Sequence, residues 1–140
     1  LYLTGVQLEV GQATPFEHLS YGETEKLCQR YYYKQADGSE DDSQSVGVAF
    51  MESSSVVVCC IDLPTTMRAS PSNVSSSVTN GFLFYRNGAS DTFTDLYIAN
   101  SHPNIFTFFN HTQVSGTAGQ AGSIKLNDSA TSFIAVDAEL

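Results

Sequence analysis

The stretch LYLTGVQLEVGQATPFEHLSYGETEKLCQRYYY, residues 1–33, decides how this chain is read. Leu1 and Leu3 alternate with Tyr2, and the pattern predicts a strand over 2–10. Gly5 permits a bulge there, and Pro15 holds the following residues in an extended crossing. Ser20-Tyr21-Gly22-Glu23 then has the S-x-x-E spacing of a capping box. Glu23 and Glu25 fall near the positive end of the helix dipole, Lys26 and Arg30 near its negative end. The spacing predicts about two helical turns from Tyr21 to Gln29, with Leu27 and Tyr31 as the buried stripe. Tyr31-Tyr32-Tyr33 opens the next strand. A strand that ends one sheet, a crossing, a helix and a strand that opens another make a joint between two β modules. Residue 1 falls inside a strand pattern, so the chain is expected to be the C-terminal piece of a longer polypeptide.

Everything after the helix reads β. Segments rich in Val, Ile, Phe, Tyr and Thr are punctuated by Gly, Asn, Ser and Pro every 8–12 residues or so, as in sandwiches. Strands are predicted near 30–35, 45–52, 55–63, 72–79, 81–86, 92–99, 104–110, 123–127 and 130–138. Val46, Val48 and Phe50 alternate, and so do Val56, Val58 and Cys60. Phe93 with Tyr97, and Phe106 with Phe108, mark further faces, and Arg86-Asn87-Gly88 suits a tight hairpin turn. Residues 36–45 and 115–122 read as exposed loops. The expected organisation is the final strand and linker of a preceding module over 1–19, a connecting helix over 20–30, and a C-terminal β-sandwich over 31–140. The fold expected is an all-β, jelly-roll-like antiparallel sandwich with one short N-terminal helix.

Six basic residues against fifteen acidic ones give a net charge of −9. Such a surface repels phosphate backbones and anionic lipid head groups, so neither nucleic acid nor membrane is an expected partner. No run approaches the roughly 20 apolar residues of a membrane span. Cys59 and Cys60 are adjacent in a strand and must point to opposite faces. The three cysteines read as buried free thiols made in a reducing cytoplasm, with a bridge from Cys28 to either of the others left open. Two SerSerSer runs, at 53–55 and 75–77, dress the β surface in small hydroxyls. These resist stray edge pairing poorly unless neighbouring chains cover the edges.

The strings Thr4 to Gly11 (TGVQLEVG), Ala13 to His18 (ATPFEH), Ser20 to Glu23 (SYGE) and Cys28 to Tyr32 (CQRYY) resemble a joint in tail-fibre and other virion structural proteins of tailed bacteriophages. Leu63-Pro64, Thr66-Met67-Arg68-Ala69 and Pro71 are similar to a mid-domain segment of that family, and Val136-Asp137-Ala138-Glu139-Leu140 to its usual ending. Leu19 stands where a basic residue is common, and 36–45 is unusually acidic. The resemblance implies that the first strand closes a carbohydrate-binding-module-like jelly roll. It also implies a location on the exterior of a phage tail or head, a homotrimer, and contact with other virion proteins. The role expected is attachment to a host cell-surface glycan or receptor, as a tail-fibre or tail-tip module made in the bacterial cytoplasm, without catalysis or cofactor. A head decoration or spike that stabilises the capsid is the first alternative, and a polysaccharide-degrading appendage the second.

Stacking on sugar rings needs aromatic faces, and hydroxyls need Asn, Asp or Gln. Tyr85, Arg86, Asn87, Asp91 and Tyr97 are expected to group around one hairpin, and His102, Asn104, Asn110 and His111 to flank the next. The competing reading puts the tyrosines in the core or a subunit interface and the polar groups in turns. Glycoside cleavage needs two opposed carboxylates. Asp91 and Asp95 share a strand face by spacing and Asp62 is another acid, but a solvated face explains them as well. His18, His102 and His111 accompany no nucleophile turn. Asp37, Glu40, Asp41 and Asp42 supply oxygens for a hard cation but lack the alternating D-x-D-x-D-G spacing, so no metal is expected. Tyr31, Tyr32 and Tyr33 cannot all face inward, which suits a subunit contact. Asn73-Val74-Ser75, Asn110-His111-Thr112 and Asn127-Asp128-Ser129 read as chance glycosylation sequons.

Overall fold

The computed structural model describes residues 10–11, 19–38, 44–74, 79–127 and 131–138. The strand expected over 2–10 (Val10 excepted), the Pro15 crossing, His18, and Glu40, Asp41 and Asp42 lie outside the described residues.

Among the described residues one helix, α1 (Tyr21–Gln29), precedes ten strands: β1 (Tyr32–Asp37), β2 (Ser45–Met51), β3 (Val57–Asp62), β4 (Asn73–Val74), β5 (Phe82–Arg86), β6 (Ala89–Phe93), β7 (Tyr97–His102), β8 (Ile105–Asn110), β9 (Ala121–Leu126) and β10 (Phe133–Asp137). They form two antiparallel sheets, ordered β1-β10-β4 and β6-β5-β9-β2-β3-β8-β7. The pairings β1 with β10, β2 with β9 and β3 with β8 nest inside one another. That nesting is the winding of a jelly roll, and β4 also lies against β7 where the two sheets approach. The core fills the space between the sheets. Phe82, Phe84, Phe93, Phe106 and Phe108 are fully enclosed, with Met51, Ile124, Leu126, Ile134 and Val136. Among the described residues, no helix is long and apolar enough to cross a membrane.

Ser20 caps α1 as its spacing predicts. The Glu23 amide donates to Ser20 Oγ at 3.3 Å, and the Ser20 amide donates to Glu23 Oε2 at 2.8 Å. These bonds hold the Glu23 carboxyl below the usual carboxylate range. The helix buries none of its residues, so the expected Leu27–Tyr31 stripe is absent: Leu27 is 47% exposed and Tyr31 45%. What fixes α1 is its C-terminal end. Thr65 Oγ1 donates to Gln29 Oε1 at 2.9 Å, the Arg68 amide to the Arg30 carbonyl and the Ala138 amide to the Tyr31 carbonyl, each at 2.8 Å. Met67 enters the core from the same segment, while the Arg68 guanidinium lies 5.5 Å from the Tyr31 ring centre. The segments around 28–32, 66–69 and 136–138 therefore meet at one pole.

Three further features depart from the simplest reading of the sequence. The alternating apolar residues Val48, Phe50, Val58 and Cys60 point away from the core, because Ala49, Met51, Val57, Cys59 and Ile61 occupy it. The single strand expected over 92–99 is two strands from different places in the sheet, broken at 94–96. Gln113 Oε1 accepts the Thr94 amide at 2.8 Å and the Asp95 amide at 3.2 Å, so these amides leave the ladder. Phe93 accordingly stays buried while Tyr97 faces out. Cys28 and Cys60 are exposed rather than buried, Cys59 is enclosed, and all three are free.

Candidate functional site

The Asn87-Gly88 turn joins β5 and β6 with both residues at positive φ, 40° and 77°. Inside that hairpin Arg86 points into the sandwich. Its Nη2 donates to Asp91 Oδ2 at 2.9 Å and also to the Ser115 carbonyl, and its guanidinium carbon lies 5.1 Å from the centre of the Phe84 ring. The Ser115 amide donates to the same Asp91 oxygen at 2.8 Å. Burial raises the Asp91 pKa, but the Ser115 amide and the Arg86 charge outweigh it and hold the carboxyl below its ordinary value. Arg86 and Asp91 thus latch the 113–120 loop across one end of the core. Asp95 is in the break after β6, so the acid pair expected on one strand face does not form.

Asn110 is also an organiser of that end. Fully buried at the close of β8, it donates through Nδ2 to the Asp95 carbonyl at 2.9 Å and to Gln113 Oε1 at 3.1 Å. Its Oδ1 accepts the Gln113 amide at 3.0 Å and the Thr112 amide at 3.2 Å. An amide so occupied is closed to glycosylation in the folded chain. The knot fixes the start of β7 and the residue after β8, and so brings Tyr97 and His111 together. Their ring centres are 4.9 Å apart, and each lies within 5.7 Å of the centre of Phe109.

This aromatic cluster sits on the outer face of the seven-stranded sheet. Register places Phe50 opposite Val58, Val58 opposite Phe109 and Phe109 opposite Tyr97, so one row of apolar side chains crosses four strands. Val48 beside it is 76% exposed, Phe50 45% and Tyr97 41%. Next to the cluster a groove of about 290 Å³ runs along β3, β8 and β7, bounded by Glu52, Val58, Asn100, Thr107, Phe109 and His111. Thr107 Oγ1 is 3.4 Å from Cys60 Sγ. Glu52, Asn100 and His111 make no side-chain hydrogen bond to any described residue.

The nine residues expected to form two groups are distributed otherwise. Tyr85 is exposed on β5 with Lys125 Nζ 5.7 Å from its ring centre, and five strand spacings (roughly 24 Å along the sheet) separate it from Tyr97. His102 and Asn104 are at the opposite end of β7 and β8 from Asn110 and His111, with the Asn104 amide 3.4 Å from His102 Nδ1. Tyr85, Arg86, Asn87 and Asp91 do share the β5–β6 hairpin, with Arg86 bonded to Asp91, but beside the groove only Tyr97, Asn110 and His111 meet. Tyr32 is exposed like Tyr31, while Tyr33 is half-buried against the core and donates to Gln35 Oε1 at 3.0 Å. Burial pushes the Tyr33 phenol up. Asp37 is in β1 and pairs with Lys34 at 2.7 Å.

Glu52, Val58, Asn100, Thr107 and Phe109 line the groove, although the sequence marked none of them as a site residue. One signal for Phe109 was there: Phe108-Phe109 are consecutive in a strand, so one of them must face out. No protein-family model matches this chain, and no curated protein or solved structure matches it either.

Proposed function

We propose that this chain is a non-catalytic attachment module of a tailed-phage virion, carried on a tail fibre or tail tip and acting as a homotrimer that meets the host surface. The observation that carries this reading is the half-exposed aromatic cluster of Tyr97, Phe109 and His111 beside an open groove on a rigid sheet. Ligand clefts combine such apolar walls with a few convergent polar groups, and here Glu52, Asn100 and His111 have no side-chain hydrogen-bond partner within the described residues. A binding role also suits the state of Asp91, which is committed to Arg86 and Ser115 and not opposed to a second acid across a cleft. Tyr31 and Tyr32, exposed at the pole where α1 meets the 63–69 segment, suit the contact with neighbouring subunits.

The test is labelled protein incubated with a panel of bacterial strains, with free surface polysaccharide as competitor. Attachment predicts saturable, competable binding to at least one strain. Binding to capsids with none to cells would favour the head-decoration reading, to which the exposed Val48–Phe50 row is also suited as a protein contact. Falling polysaccharide viscosity on incubation would favour the degrading enzyme.

A further inference from the structure

We infer that the groove between β3, β8 and β7 takes an uncharged hexopyranose glycan and discriminates against glycans carrying carboxylate, sulfate or phosphate. The inference rests on the attachment reading and narrows it to one ligand chemistry.

Three properties of the groove carry it. The first is shape: about 290 Å³ is just below the roughly 300–1,000 Å³ range of ligand clefts, room for one or two sugar rings. The second is the alternation of surface types. Val58 and Phe109 offer apolar and ring surface, and the stack on Tyr97 fixes the plane of His111. Asn100, Thr107, Glu52 and the His111 edge interrupt that surface with hydrogen-bonding groups. A pyranose has the matching construction, one C–H face bordered by hydroxyls. An apolar peptide side chain would instead leave those polar groups desolvated and unpaired, at a cost that opposes binding.

The third property is charge. Glu52 is the one charged group among the described residues that line the groove, and no Lys or Arg lines it. The chain as a whole carries −9. An anionic sugar would enter against both the local carboxylate and the wider field, whereas a neutral hydroxyl can donate to Glu52. Tyr97 is a positioning residue in this scheme: it holds His111 and Phe109 without lining the groove itself.

The experiment is a glycan array probed with the full chain, carrying neutral hexose and N-acetylhexosamine oligosaccharides beside uronic, sialylated and sulfated ones. Titration calorimetry on the strongest neutral binder follows. Neutral glycans are expected to bind and acidic ones to bind at least tenfold more weakly. Asn100→Ala and His111→Ala, both at exposed positions, should each weaken neutral binding about tenfold with an unchanged melting temperature. Glu52→Lys should reduce or reverse the discrimination, and Tyr85→Ala, on a distant strand of the same face, should bind as the parent does. Equal binding of acidic and neutral glycans overturns the inference. So does cell attachment that survives Asn100→Ala and His111→Ala unchanged, although attachment itself then stands. Absence of binding to both array and cells sinks the inference and the attachment reading together.

Discussion

The two faces of the seven-stranded sheet are made by the same strands, yet one is a closed aromatic core and the other an open aromatic surface. β8 shows the contrast most directly: Phe106 and Phe108 are fully enclosed, while Phe109, one residue on, is only half-buried beside the groove. A sheet with one face in water normally alternates apolar and polar residues. Here Val48, Phe50, Val58 and Phe109 break that alternation on the solvent side. The inner face is explained by stability. Stability does not explain the outer one, and the proposed attachment role would.

Truncation separates the two most strongly. Phe108→Ala removes a fully buried ring and should cost about 3–5 kcal/mol, read as a shift in the urea unfolding midpoint. Phe109→Ala, half-buried, should cost about 1–1.5 kcal/mol. Equal losses would show that the outer row is core in all but position. Gly122→Ala comes next. Gly122 faces inward from β9, and a Cβ there would press on the Tyr85 carbonyl and come within 2.7 Å of Phe84 Cε2. Overpacking of this kind should cost about 1–3 kcal/mol, whereas Ser123→Ala on the outer face should be close to neutral.

The latch gives a pH-dependent version of the comparison. Asp91 titrates below its unfolded value, so its bonds stabilise the fold above about pH 4 and are lost as pH falls through the lowered native value. Asp91→Asn should therefore be less stable than the parent at neutral pH, with the gap closing in acid. A gap that stays constant across acid titration would remove the carboxylate from the account. The smallest effect is chemical. Burial, with Cys60 alongside, pushes the Cys59 thiol up to about 12. Native alkylation followed by mass spectrometry should modify Cys28 and Cys60 and spare Cys59 until the chain unfolds.

The sequence carries the local parts of this architecture well. The capping box located α1 from Tyr21 to Gln29, and the Asn87-Gly88 pair located its hairpin, because each is a short-range hydrogen-bond or φ requirement. Parity was legible too, in that Cys59 and Cys60 had to part company. Which parity faces inward was not legible in β2 and β3. Both faces there are apolar, and only the partner sheet decides between them. The break at 94–96 was equally hidden, since the group that captures those amides is Gln113, some eighteen residues along the chain. The groove suffered most. Glu52, Asn100 and Thr107 come from separate strands and turns, and they acquire joint meaning only once β3, β8 and β7 are side by side. The Arg86–Asp91 pair was noticed for its residue types but serves to close the core. Polar side chains on a hairpin do not reveal whether they point at a ligand or at their own backbone.

The position of β10 has a kinetic consequence. It lies between β1, about a hundred residues earlier in the chain, and β4, about sixty residues earlier, so among the described residues the smaller sheet has no internal pairing until residues 133–137 arrive. Ladders this non-local close late and place the domain among the millisecond-to-second folders. During that interval β1 and β4 present open edges, and chains held at high concentration would be exposed to mispairing until β10 docks.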